Sequence, residues 1–249
     1  MPEEILIKSS YDGTMQPSLF YKSPNPGRPL LVGLHTWSFD RFNTLKTSFP
    51  YAKELDFNFL SPNFRGPNLP SNPECRDACG SMAARMDIKD AIDYVKANYD
   101  IDEGNIFLLG ISGGGQMALL MAGLCPEYFR AIAAVVPITN LLKWHEESAS
   151  YRSHVDACTG GNVDEMMARS PITYVDEIAD ANLKIFHGKW DNVVPCSHSI
   201  GFYNTLIERH PDAKVYLDIF DGGHQIDFVT AMHWITTQYK KTSATEATG

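Results

Sequence analysis

From residue 29 onward the chain is punctuated by short, nearly continuous apolar runs separated by segments of helical periodicity. The runs are PLLVGLH (29–35), NFLSPN (58–63), NIFLLG (105–110), AIAAVV (131–136), LKIFHG (183–188) and KVYLDIF (214–220). They are short for buried helices, and most lack the polar alternation of a strand with one wet face, so they suit parallel strands covered on both sides. Between them, residues 84–98 place Ile88, Ala91, Ile92 and Val95 at i, i+3, i+4 and i+7, and residues 225–238 repeat the spacing with Phe228, Ala231, Met232 and Ile235. Segments 114–124 and 196–209 also read as helices. Strands alternating with helices imply βαβ crossovers and a doubly wound sheet. Two earlier strand candidates, EEILIKS (3–9) and QPSLFYK (16–22), have no helix between them and predict an antiparallel edge. The expected fold is therefore an α/β protein with an eight-stranded, mostly parallel, doubly wound sheet.

One stretch breaks the alternation. About 45 residues separate the run ending at 136 from the one starting at 183, more than one crossover helix needs. Residues 138–180 read as a small helical cap insertion, with helices over 144–153 and 162–169, and such insertions commonly cover active sites. The 249 residues fit a single α/β domain over 1–249, and the small polar ending KKTSATEATG predicts a frayed tail.

The formal net charge of −9 argues against nucleic acid as a partner, because phosphate binding rests on clustered Lys and Arg. No run approaches the ~18–20 apolar residues of a membrane span. MPEEILIKSS lacks the basic and long apolar regions of a signal peptide, which predicts a cytoplasmic protein. Five cysteines without regular spacing (Cys75, Cys79, Cys125, Cys158, Cys196) suit reduced thiols better than a disulfide framework. Cys75 and Cys79 have no second pair to complete a metal site, so neither metal nor cofactor is expected.

The chemistry begins at Gly110-Ile111-Ser112-Gly113-Gly114. A G-x-S-x-G match arises by chance at roughly 0.08 per chain, so the pattern alone is weak. Its setting strengthens it: the motif follows NIFLLG and precedes QMALLMAGL, the strand–turn–helix context of a nucleophile elbow. A serine there sits at a helix N-terminus, where N–H groups favour developing negative charge. Its hydroxyl needs a base. Among eight histidines, His224 follows the last strand in Asp221-Gly222-Gly223-His224, where a loop reaches back over the strand ends. His35 is better placed for the oxyanion loop, while His198, His210 and His233 read as helical and exposed. The orienting acid should follow the preceding strand, which selects Asp191 over Asp218 and Asp221. Two oxyanion donors are needed: the N–H of Gly113, and one from the loop after the third strand, Trp37 before Thr36.

GISGGG (110–115), HGKWDNVVP (187–195), the GGH ending at His224 and SPNFRG (61–66) resemble the α/β-hydrolase superfamily, in its prolyl-oligopeptidase-like and acetyl-esterase-like branch. The resemblance implies the Ser112, Asp191, His224 triad, a two-donor oxyanion hole and hydrolysis through an acyl-enzyme without a cofactor. The family's oxyanion loop usually reads His-Gly-Gly, and here it is His35-Thr36-Trp37. Peptidases of the branch usually carry a β-propeller, and none is expected within these 249 residues. The leading expectation is thus a carboxylic-ester hydrolase acting on a small ester. The alternatives are a serine peptidase for short peptides and a non-enzymatic binding protein on the same fold. Trp37, Trp144 and Trp190 lie near site loops, and core or cap packing is favoured for each over an aromatic substrate wall.

Overall fold

The computed structural model describes residues 1–225 and 228–246. Its strands are β1 (Glu3–Lys8), β2 (Met15–Tyr21), β3 (Arg28–Leu34), β4 (Asn58–Pro62), β5 (Ile101–Ile111), β6 (Ala131–Val135), β7 (Leu183–Gly188) and β8 (Val215–Phe220). They form one sheet in the order β1-β2-β4-β3-β5-β6-β7-β8. β2 runs antiparallel to both β1 and β4, and every pairing from β4 to β8 is parallel. The helices are α1 (Phe49–Glu54), α2 (Met82–Asn98), α3 (Gly113–Leu124), α4 (Leu141–Glu147), α5 (Arg152–Thr159), α6 (Val163–Ala168), α7 (Val175–Ile178), α8 (Ser197–Arg209) and α9 (Phe228–Glu246).

The continuous apolar runs exist because both faces of the sheet are covered. Along β5, Ile106 and Leu108 join one buried cluster with Ile88 and Ile92 of α2 and Leu119 of α3. Phe107, Leu109 and Ile111 join another with Phe49 and Ala52 of α1 and Met232 and Ile235 of α9. Successive side chains point to opposite faces, so a polar residue on either would be buried. Each buried Leu, Ile or Phe contributes about 1.5–3 kcal/mol.

The cap expectation needs correction in detail. The span 144–153 is not one helix: α4 ends at Glu147, and α5 starts at Arg152. Asn140 caps α4 by accepting from the Lys143 N–H, so the helix starts earlier than its apolar pattern suggests. The expected 162–169 corresponds to α6, capped by Asn162. A short 3-10 helix, Arg41–Lys46, and α1 lie between β3 and β4, where no helix was expected. The expected helix over 225–238 is α9, and its positions 226 and 227 lie outside the described residues. α9 continues into the segment expected to fray; of that tail, residues 247–249 lie outside the described residues.

The SPNFRG stretch after β4 has a structural role. Arg65, its side chain 2% exposed, donates from Nε to Asp87 Oδ2 of α2 at 2.8 Å and from a terminal nitrogen to Asp12 Oδ2 of the β1–β2 turn at 2.8 Å. Ser9 donates to the other Asp87 oxygen. The network fixes the antiparallel edge and the loop after β4 to α2. Arg65→Met strands the buried Asp87 carboxylate and is expected to lower stability by about 3–5 kcal/mol. Arg65→Met with Asp87→Leu should recover most of that in a urea titration; a double variant no more stable than the single would contradict this origin.

Candidate active site

The chain passes from β3 outward to β4 and then back across to β5, so the strand order switches between β3 and β5. Open α/β sheets bind ligands at such a point, beyond the carboxyl ends of the strands. Ser112 stands there, directly after β5, with φ 55° and ψ −117°. This left-handed conformation is sparsely populated for a residue with a side chain and costs about 1–3 kcal/mol. The turn holds because its glycines permit close backbone approach: a Cβ on Gly110 would collide with the carbonyl of Gly114. The Ser112 N–H donates to Val135 O at 2.9 Å, and its carbonyl accepts from Gln116 N.

Bonds between the two loops bring the other partners over Ser112. In the turn after β7, the Trp190 N–H donates to Gly222 O at 2.8 Å and Lys189 N to Phe220 O at 2.9 Å, tying that turn to the loop that carries His224. His224 Nδ1 lies 2.7 Å from Asp191 Oδ2, and His224 Nε2 lies 3.0 Å from Ser112 Oγ. An ionised carboxylate only accepts, so Nδ1 carries the proton and Nε2 is left to accept from the serine hydroxyl. The three residues chosen from the sequence therefore form one hydrogen-bonded chain. The rival acids are engaged elsewhere: Asp218 pairs with Lys184 at 2.7 Å, and Asp221 accepts from the Trp190 indole at 2.8 Å.

Asp191 is 8% exposed. Burial alone would raise its pKa. Hydrogen bonds from His187 and His224 and from the Val194 N–H outweigh that and hold the carboxyl well below the usual carboxylate range. Its Oδ1 accepts from the N–H groups of Val193 and Val194, both at 2.9 Å. His187 has a positioning role that the sequence did not reveal. Fully buried on β7, it places Nε2 2.8 Å from Val194 O and 3.3 Å from Asp191 Oδ2. Ser199 Oγ stands 2.7 Å from its Nδ1 and can donate to it, leaving the Nε2 proton for those oxygens. The i, i+4 spacing of His187 and Asp191 was the available signal.

Gly113 opens α3, so its N–H is one of the donors a helix leaves without an internal partner. A Cβ on Gly113 would stand 2.9 Å from the backbone nitrogen of Trp37, so the two expected oxyanion donors belong to touching segments. The Trp37 loop is held by Asn43, whose Oδ1 accepts from Thr36 N at 3.3 Å, and by the Asn68 N–H, which donates to Trp37 O at 2.9 Å. His35 lies beneath it, buried, with its ring nitrogens 2.9 and 2.8 Å from the carbonyls of Thr36 and Asn63. Burial pushes its pKa below the ordinary imidazole range. His198, expected exposed, is 2% exposed, because the start of α8 packs against the cap. Its Nε2 is 3.2 Å from Glu147, and burial lowers its pKa to about 4.

A cleft of about 190 Å³ opens against Ser112 and His224, lined also by Thr36, Trp37, Ser38, Phe39, Ile111, Val136 and Tyr151. No Asp, Glu, Lys or Arg is among these lining residues. Tyr151 enters from the cap, and neither it nor Val136 was singled out from the sequence. Of the three tryptophans expected near the site loops, Trp37 lines the cleft; Trp144 is buried against it with ring centroids 4.9 Å apart, and Trp190 is 64% exposed.

Residues 44–241 match the family model of the prolyl oligopeptidase family. The chain belongs to that family. Among curated relatives, it is 25% identical over 244 residues to acylamino-acid-releasing enzyme 2 of Oryza sativa subsp. japonica, covering 91% of this chain and 30% of the relative. It is 24% identical over 157 residues to feruloyl esterase B of Neurospora crassa, covering 58% and 51%. Among solved structures, the acylaminoacyl peptidase of Pyrococcus horikoshii superposes with a TM-score of 0.71 at 18% identity, covering 90% of this chain and 37% of the other, which shows a shared fold. The chain thus spans under a third of the rice relative's length.

Proposed function

We propose that this family member is a serine hydrolase that cleaves small N-acylated aminoacyl substrates, blocked short peptides foremost, through an acyl-Ser112 intermediate. The supporting observation is the character of the cleft: aromatic and aliphatic side chains adjoin Ser112, and among the described residues no lining carboxylate is present to receive a free α-ammonium. Desolvating an unpaired ammonium is costly, whereas an acylated amine enters neutral. The names of the acylamino-acid-releasing relatives agree with this preference. It favours the peptidase alternative over the ester hydrolase that led the sequence reading.

In this mechanism His224 Nε2 takes the Ser112 proton as Oγ attacks the scissile carbonyl. The N–H groups of Gly113 and Trp37 receive the oxyanion, and preorganised donors stabilise the charge that develops there. Asp191 holds the His224 tautomer and faces the imidazolium. His224 then protonates the leaving amine, and water attacks the acyl-enzyme with His224 again as base. A carboxylesterase is the second reading, favoured by the feruloyl esterase relative and by the half-exposed Phe39 at the cleft mouth.

Three chromogenic substrates separate these readings: N-acetyl-alanyl p-nitroanilide, free alanyl p-nitroanilide and p-nitrophenyl butyrate. The expected result is anilide turnover with kcat/KM for the acetylated substrate at least about tenfold above the free one, a preference of ~1.4 kcal/mol. Butyrate cleavage without either anilide would establish the esterase. Preference for the free amine would overturn the blocked-substrate proposal. Inertness toward all three, and toward active-serine reagents, would favour the binding protein.

A further inference from the structure

Three of the five cysteines meet outside the catalytic machinery. Cys75 lies in the short 3-10 turn Cys75–Asp77 after β4, Cys79 follows it, and Cys158 is on cap helix α5. All three are buried in one cluster with Trp37, Trp144 and Val194. Cys75 Sγ and Cys158 Sγ are 2.7 Å apart, although 83 positions separate them in sequence. Cys125 and Cys196 are not part of this cluster.

Against the expectation of five reduced thiols, we propose that Cys75 and Cys158 form a disulfide that fastens cap helix α5 to the loop after β4. The side chains already meet, with their sulfurs in direct contact. One of the two segments borders the cleft, and the other is bonded to the loop that lines it. Tyr151, which lines it, immediately precedes α5. On the other side, the Cys79 N–H donates to Asn68 Oδ1 at 2.9 Å, and the Asn68 N–H donates to Trp37 O at 2.9 Å. The cross-link would hold the cap wall and the Trp37 loop at a fixed separation.

The bond forms by exchange with a low-molecular-weight disulfide such as oxidised glutathione. One cysteine thiolate attacks RSSR and releases one RSH, giving a mixed disulfide. The second cysteine displaces the remaining RS group as a second RSH. The protein pair thus loses two electrons and two protons, which the oxidant carries away. Exchange requires a thiolate, and in the closed fold the contact with Cys158 and burial keep the Cys75 thiol protonated. Formation therefore belongs to folding, before the cap closes. Afterwards the buried bond is shielded from thiol reductants.

The test is to unfold and refold the full chain in oxidised and reduced glutathione, alkylate it in denaturant without reductant, and digest it with trypsin. Cleavage after Arg76 separates Cys75 from Cys79, so the two are read independently. The expected result is a peptide pair joining Cys75 to Cys158, with Cys79, Cys125 and Cys196 alkylated. The oxidised protein should melt about 10 °C above the same protein unfolded and refolded in a phosphine reductant, the order expected for closing a loop of this length. Cys75→Ser and Cys158→Ser should abolish that shift, and Cys79→Ser should retain it. Alkylation of all five cysteines, a linked pair that uses Cys79, or an undiminished shift in Cys75→Ser would overturn the proposal.

Discussion

Ser112→Ala is expected to reduce kcat by about 10⁵- to 10⁶-fold on whichever chromogenic substrate the wild type turns over best. Among the described residues that line the cleft, Ser112 is the nucleophile held by a base. Ser112 Oγ is the atom 3.0 Å from His224 Nε2. The variant should fold normally, because alanine meets the same backbone demand as serine and the Ser112 N–H keeps its bond to Val135 O. A fluorophosphonate should label the wild type once and leave the variant unlabelled. Far-ultraviolet circular dichroism and the melting temperature would separate loss of chemistry from loss of fold. Retention of more than about a hundredth of wild-type turnover would remove Ser112 from the nucleophile role.

Asp191→Asn should cost about 10⁴-fold in kcat, because an amide can present its N–H₂ to His224 Nδ1 and favour the tautomer that turns an N–H toward Ser112. KM should change little, since Asp191 does not line the cleft. The same substitution has a consequence for stability whose sign follows from the depressed pKa of Asp191. An unfolded-state carboxyl titrates near ~3.9 and the folded one lower, so the unfolded chain binds more protons in that interval. The stabilisation from the charge is therefore complete above about pH 4 and is lost as the pH falls through the folded value. Urea unfolding should show the wild type ahead of Asp191→Asn at pH 7, with the gap narrowing below about pH 4. A fall in kcat of less than tenfold would pass the acid role to Asp221, which already lies on the His224 loop.

The strands were readable because burial on both faces leaves a direct mark. A run such as NIFLLG has no position where a polar side chain would reach water, and β5 begins earlier than that run because Ile101 pairs with Arg28 ahead of an irregularity in the register. The elements that escaped notice are short. The six-residue helix α1 is too brief for periodicity to register, although Pro50 in its first turn is a helix-start signal. The break between α4 and α5 fell inside what looked like one helical segment. It places Tyr151 at the start of α5 and into the cleft, and nothing local to Tyr151 announces that position.

The sequence by itself determined the order of strands and helices, the elbow at Ser112 and the loops that carry Asp191 and His224. Each depends on local chemistry: glycines where backbone must approach backbone, apolar runs where both faces are covered, and a titratable residue just beyond a strand end. The tertiary structure alone decided that His187 and two backbone N–H groups hold Asp191, that the described residues lining the cleft beside Ser112 include no Asp, Glu, Lys or Arg, and that Cys75 touches Cys158. Those features join segments tens of residues apart. Their energies come from distances and burial, which no spacing within a single element encodes.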